Sequence, residues 1–190
     1  MHNIEVPIET SGRHIHLSQK DSEKLFGKGY KFKKKTNLYQ PGDFAAEETI
    51  DIQGERDRIL TLRVVGPVRA QTQVELSKTD AIFLGISVPL KESGALKGTP
   101  GATLIGPENK VKIKEGLINA QRHIHCNQKE AKKIGLKDKM LVSVQTEGPG
   151  AVTFHNVLVR VNKNYRLCMH LDTDEGNAAC ITRKGKGKIL

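Results

Sequence analysis

The sequence predicts a mainly β protein, built as small β-barrels capped by short α-helices. Three observations carry this. Short segments that are β-branched or alternate apolar and polar recur along the 190 residues. Gly-Pro and Pro-Gly pairs punctuate them. One nine-residue motif occurs twice, which calls for two similar units rather than a long array.

The elements follow in order. Met1–Thr10 alternates apolar and polar residues. In His14-Ile15-His16 an extended chain points both imidazoles to one face and Ile15 to the other. Ser18 with Asp21 reads as an N-cap and its first-turn acid, opening a helix that stops near Gly27. Gly27–Ala46 is basic and weakly periodic, an excursion carrying the turn Tyr39-Gln40-Pro41-Gly42-Asp43. Strands are expected at Thr49–Gln53 and Ile59–Val65, the second ended by Gly66-Pro67. Ser77 with Asp80 caps another helix, ending near Gly85. Strands at Gly101–Ile105 and Val111–Ile113 flank Gly106-Pro107. Asn127 with Glu130 caps a third helix, ending near Gly135. Strands at Leu141–Gln145 and Ala151–Val161 flank Gly148-Pro149-Gly150. His170 sits near a strand end, before a capped turn at Thr173–Gly176. Arg183–Lys188 reads as a basic tail.

The repeat is the informative feature. Arg13-His14-Ile15-His16-Leu17-Ser18-Gln19-Lys20-Asp21 recurs as Arg122-His123-Ile124-His125-Cys126-Asn127-Gln128-Lys129-Glu130, with six of nine positions identical. Four of the seven histidines lie in these copies. One His-x-His is weak as a metal signature, but two at equivalent positions are much stronger, and His170 is a fifth candidate. Imidazoles suit zinc, and three protein ligands with an open position describe a reactive site. His2, near the terminus, and His155, in an alternating strand, read as bystanders.

Composition narrows the partners. Lys and Arg number 31 against 21 Asp and Glu, a net charge of +10. That favours nucleic acid, an anionic membrane surface or a phosphorylated substrate. The excess gathers at Lys28–Lys35 and Arg183–Lys188, both read as solvated segments. With no Trp, five Phe and three Tyr, little surface is left for stacking bases. The apolar runs are too short to span a bilayer, and the N-terminus lacks a signal peptide's apolar stretch. Cys126, Cys168 and Cys180 suit a reducing cytoplasm and apolar burial. Gly-x-Ser-x-Gly, P-loop and dinucleotide-binding signatures are absent.

Several stretches, in order along nearly the whole chain, resemble the PduL-type phosphate propanoyltransferases. They are Val6-Pro7-Ile8 leading into Arg13–Ser18, Gln40–Asp43, Gly66–Arg69 with Gln71–Ala81, Gly116–Ala120 running into Arg122–His125, and His170–Glu175. The resemblance implies a phosphotransacylase that interconverts acyl-CoA plus phosphate with acyl phosphate plus coenzyme A. It implies two β-barrels, with a short β lid over a site between them holding two divalent metal ions, of the zinc type. One metal would take His14, His16 and Glu75, the other His123, His125 and His170. Arg69 would hold phosphate, and Gln40, Pro41 and Gly42 would bind coenzyme A from the lid. The implied domains are 3–12 plus 121–190, 13–26 plus 48–120, and a lid at 27–47. The resemblance further implies a cytoplasmic homodimer acting on short acyl chains such as acetyl or propanoyl, with neither nucleic acid nor membrane as partner. Gly12 and Gly176 stand where the family usually has Asn and Ala, but neither is a ligand. Microcompartment members carry an amphipathic segment ahead of Val-Pro, so the short lead here gives the expectation of a protein not encapsulated.

The chemistry suits these residues. Bringing phosphate to a thioester that carries further phosphates demands charge neutralisation, which metal ions and Arg provide. One tension remains: on a straight strand Arg69 and Glu75 would lie about 20 Å apart, so the chain is expected to bend between them. Two other readings fit parts of the sequence, a basic β-barrel module binding nucleic acid and a dinuclear metallohydrolase.

Overall fold

The computed structural model describes residues 4–190, with the Arg56 side chain left aside; His2 and residue 3 of the first expected domain lie outside that range. In chain order, β1 (Ile4–Thr10) and β2 (His14–His16) precede α1 (Gln19–Phe26). β3 (Lys34–Asn37), β4 (Phe44–Gln53) and β5 (Ile59–Gly66) follow, then β6 (Gln73–Glu75) and α2 (Lys78–Leu84). Next come β7 (Leu90–Lys91), β8 (Ala102–Ile105), β9 (Lys110–Ile113) and β10 (Leu117–Ala120). β11 (His123–Cys126) leads into α3 (Gln128–Ile134). Last are β12 (Leu141–Thr146), β13 (Thr153–Val161), β14 (Cys168–Leu171), α4 (Thr173–Ala178) and β15 (Lys184–Ile189). The fold is mainly β. The chain divides into two compact units, one of residues up to Gly12 with Gln121–Leu190, the other Arg13–Ala120.

The first unit is a closed barrel with strand order β1-β14-β11-β13-β12-β15, β15 returning to pair with β1. Alternation decides what faces inward. Val6, Ile8, Ile124, Cys126, Val144, Val159, Met169, Leu171 and Ile189 fill the interior. Each such burial stabilises by roughly 1.5–3 kcal/mol against the exposed side chain. The positions between them, including Glu9, His123, His125 and His170, therefore fall on the outer face. α3 opens with the expected capping box between Asn127 and Glu130.

The Arg183–Lys188 stretch corrects its reading as a tail. Lys184–Ile189 is β15, the strand that closes the barrel. Two of its three inward positions are glycine because there is no room: a Cβ on Gly187 would stand 2.8 Å from a Val144 methyl and 2.9 Å from the Gln145 carbonyl. The lysines point outward, Lys186 pairing with Glu5 at 2.8 Å.

The second unit holds a curled nine-stranded sheet, ordered β7-β10-β6-β2-β5-β4-β8-β9 with β3 paired to β4. Among the described residues its two end strands do not pair with each other, so this second barrel is a curled half-barrel. Ile15, Leu17, Leu25, Ile52, Leu62, Val64, Val74, Leu76, Leu84, Leu104 and Leu117 make its core. β2 is central, with β5 parallel on one side and β6 antiparallel on the other. The chain must therefore cross the C-terminal end of β2 between β5 and β6. Arg69 N–H donates to the Leu17 carbonyl at 2.9 Å there, and Ser18 N–H donates to Thr72 Oγ1 at 3.0 Å. This crossing is the expected bend between Arg69 and Glu75.

The Gly27–Ala46 excursion is more regular than its sequence indicates. β3 forms a hairpin with the first half of β4, which begins at Phe44 rather than Thr49. Phe26, Tyr30 and Phe32 pack ring on ring at its base, with centroids 5.1–5.8 Å apart. Tyr30 Oη donates to Glu48 at 2.8 Å. Among the described residues no helix is long and apolar enough to cross a membrane.

Candidate active site

Burial of Ile15 turns His14 and His16 to the opposite face of β2. The antiparallel register then sets Glu75 directly across from His14. One ligand atom from each of His14, His16 and Glu75 lies within 4.8 Å of the others. His14 Nε2 is 3.7 Å from Glu75 Oε2. The other carboxylate oxygen, Oε1, accepts from Gln73 Nε2 at 2.6 Å and from Ser93 Oγ at 3.0 Å. The carboxylate is thus aimed by two donors at the histidine side. His16 is buried, and this holds its imidazole well below the usual histidine range, with the charges of His14 and Arg69 acting in the same direction. This favours the neutral ring, the form that can donate to a metal ion.

The first unit builds a counterpart on its outer face. β11 carries His123 and His125, and β14 runs antiparallel with His170 opposite His123. The three offer ligand atoms within 4.8 Å of one another. Ring centroids are 4.5 Å apart for His123–His125, 5.2 Å for His123–His170 and 5.0 Å for His125–His170. Tyr165 stacks on His125 at 3.9 Å. His170 also groups with Glu9 and Cys168. Burial pushes the Cys168 thiol up to about 12 and raises Glu9. Glu9 had no role in the sequence reading. Its signal was its place in an alternating strand, but nothing local marks which strand it faces.

The donor sets fit a divalent metal ion. In both clusters a histidine Nδ1 faces a main-chain carbonyl, His16 to Val65 at 3.2 Å and His123 to Gln121 at 2.8 Å. A carbonyl only accepts, so Nδ1 carries the proton, and Nε2 holds the lone pair of the neutral ring. Metal-ligating histidines are oriented in this way. Three nitrogens in one cluster, and two nitrogens with a carboxylate in the other, match the ligand types of zinc sites that keep an open position.

Arg69 lies at the end of β2, bridged to Ser18, close enough for its charge to act on His16. Gln40 is buried, whereas Pro41 and Gly42 are exposed at the tip of the β3–β4 turn. The turn delivers one residue that sequence reasoning treated only as turn chemistry. Burial raises the Asp43 carboxyl, Arg69 and His14 oppose that, and Glu75 adds to it. Asp43 is therefore within electrostatic reach of the same cluster. Arg69 and Asp43 come together because the crossing and the turn meet at one end of β2.

The β architecture thus carries two strand-borne clusters of residues that could each hold a metal ion. A family model described as phosphate propanoyltransferase matches residues 7–182. The phosphate propanoyltransferase of Thermotoga maritima is 47% identical over 175 residues, covering 92% of this chain and 83% of that protein. Those of Priestia megaterium and Salmonella typhimurium are 47% and 45% identical, covering 96% and 92% of this chain and 84% and 83% of theirs. The chain belongs to the phosphate propanoyltransferase family and is an acyltransferase.

Proposed function

We propose that the protein is a metal-dependent phosphotransacylase, which interconverts acyl-CoA plus phosphate with acyl phosphate plus coenzyme A for short acyl chains such as propanoyl and acetyl. The carrying observation is the pair of three-ligand clusters on a chain of this family. His14, His16 and Glu75 would hold one divalent ion and His123, His125 and His170 another. The ions, of zinc type, supply positive charge to offset thiolate and phosphate.

The chain's own residues account for the rest. Arg69 presents a planar fork that binds two phosphate oxygens and orients a third toward the thioester carbon. That oxygen forms the new C–O bond as the C–S bond breaks, and the phosphate proton ends on the coenzyme A thiol. Phosphate is already anionic near neutral pH, so no strong base is needed. Buried His16 is held neutral by its surroundings, which leaves its ring free to bind the ion beside Arg69. The segment 27–47 serves as a lid, Gln40 to Gly42 meeting coenzyme A at its turn. The active species is a homodimer.

The test is release of free thiol from propanoyl-CoA with and without phosphate, before and after chelation. Thiol release that requires both phosphate and metal supports the reading. Release without phosphate indicates a hydrolase instead.

A further inference from the structure

The two units share more than the Arg-His-x-His motif. In one, Gln73-Val74-Glu75-Leu76-Ser77 runs into α2, with Ser77 as cap and Asp80 bonded to it through its N–H. In the other, Cys168-Met169-His170-Leu171-Asp172 runs into α4, with Asp172 as cap and Glu175 in the same place. The registers agree, His14 opposite Glu75 and His123 opposite His170. Glu75 and His170 are therefore equivalent, and so are Asp80 and Glu175.

Immediately before the first histidine of each motif stands an arginine, and each reaches the equivalent acid. Arg13 Nε and one terminal nitrogen both lie 2.9 Å from Asp80 Oδ1. Arg122 donates to Glu175 Oε1 at 2.6 Å and, through Nε, to the His155 carbonyl at 2.9 Å. Both acids are largely buried, with side chains 8% and 16% exposed. A chance surface pair has no reason to recur at matched positions in two units with different core residues.

We propose that Arg13–Asp80 and Arg122–Glu175 are a duplicated clamp that fixes the spacing of each three-ligand cluster, so that both arginines are positioning residues for metal binding. The proposal rests on reading the clusters as metal sites. Each cluster takes two ligands from one strand and the third from its antiparallel neighbour. Those ladders are short: β2 and β6 have three residues each, and β11 and β14 four. A short ladder frays at its end, where His14 and Glu75, or His123 and His170, must stay matched. The arginine closes the pair just beyond that end, onto the first turn of the helix that follows the third ligand. A lysine keeps the charge but loses the rigid, directed fork.

The test measures zinc affinity at each cluster by chelator competition, with elemental analysis and with melting of the metal-free protein. His14→Ala/His16→Ala and His123→Ala/His125→Ala backgrounds isolate one cluster at a time. Arg13→Lys is expected to weaken zinc at His14, His16 and Glu75 by roughly ten- to a hundredfold, leaving the other cluster unchanged. Arg122→Lys is expected to do the reverse. Melting of the metal-free protein should stay close to wild type. Unchanged affinities, or an equal loss at both clusters, overturn the clamp. So does a fall in metal-free melting temperature with affinity intact, which marks a purely structural pair. If the wild type binds zinc at neither cluster, the metal reading fails first and the clamp with it. Asp80→Asn carries the same expectation as Arg13→Lys and serves if that variant does not fold.

Discussion

Replacing Arg69 with lysine separates a surface charge from a phosphate-binding fork. The main chain at this position is fixed independently of the side chain, by the Arg69 N–H bond to the Leu17 carbonyl at 2.9 Å and the bridge to Ser18. Lysine therefore keeps both the backbone path and the positive charge beside His16. What it loses is one of two directed bonds to phosphate. A charge-assisted hydrogen bond is worth about 1.5–3 kcal/mol. At about 1.36 kcal/mol per decade, kcat/KM with phosphate varied should fall about ten- to about 150-fold. Metal content and melting temperature should match wild type, because Arg69 belongs to neither ligand set. A surface arginine would give almost no change. Wild-type efficiency in Arg69→Lys refutes the fork, and loss of metal refutes it differently, by moving Arg69 into support of the cluster.

Three further expectations follow from the same geometry. Gly187→Ala forces a Cβ against Val144 and the Gln145 carbonyl, so urea unfolding should show a loss of about 1–3 kcal/mol with activity per folded molecule retained. Gln40→Ala, in the β3–β4 turn, should lower kcat/KM by about tenfold, or about 1.4 kcal/mol, more than it shifts the denaturation midpoint; a collapse in stability with normal activity of the folded fraction makes this segment structural. His16 titrates below its ordinary value because it is buried; above pH of about 6.5 both folded and unfolded forms are neutral, and as pH falls the unfolded chain takes up the proton first. The metal-free protein should therefore lose stability on acidification, by up to about 1.4 kcal/mol per pH unit, and His16→Gln should flatten that part of the profile.

The legible parts of the molecule were those written in local chemistry. Ser18, Ser77 and Asn127 as helix caps, and His-Ile-His as a strand with one polar face, need only neighbours along the chain. The Arg-His-Ile-His repeat announced two related units because six of its nine residues are identical. The companion repeat around Glu75 and His170 escaped notice because it is conserved in role rather than identity. Ser77 and Asp172 both cap, and Asp80 and Glu175 both take an arginine, but only Leu76 and Leu171 match as letters. β15 shows no strand pattern in its sequence for a physical reason. Two of its three inward positions are glycines, so the alternation of Lys and Gly before Ile189 shows no apolar face, and the crowding of Gly187 by Val144 and Ile8 comes from distant strands. β3 is exposed along its length and so carries no burial pattern. The open edge of the second sheet depends on pairings between strands far apart in sequence, which no local window contains. Asp43 reached the candidate site by the same long-range route.

The proposed reaction requires both two bound metal ions and free phosphate to release coenzyme A. The direct measurement is metal content per chain on the same sample assayed for thiol release from propanoyl-CoA. The expected result is two ions per chain, thiol release only when phosphate is present, and loss and recovery of that release as the ions are stripped and returned. Fewer than one ion per chain with phosphate-dependent release intact would contradict it.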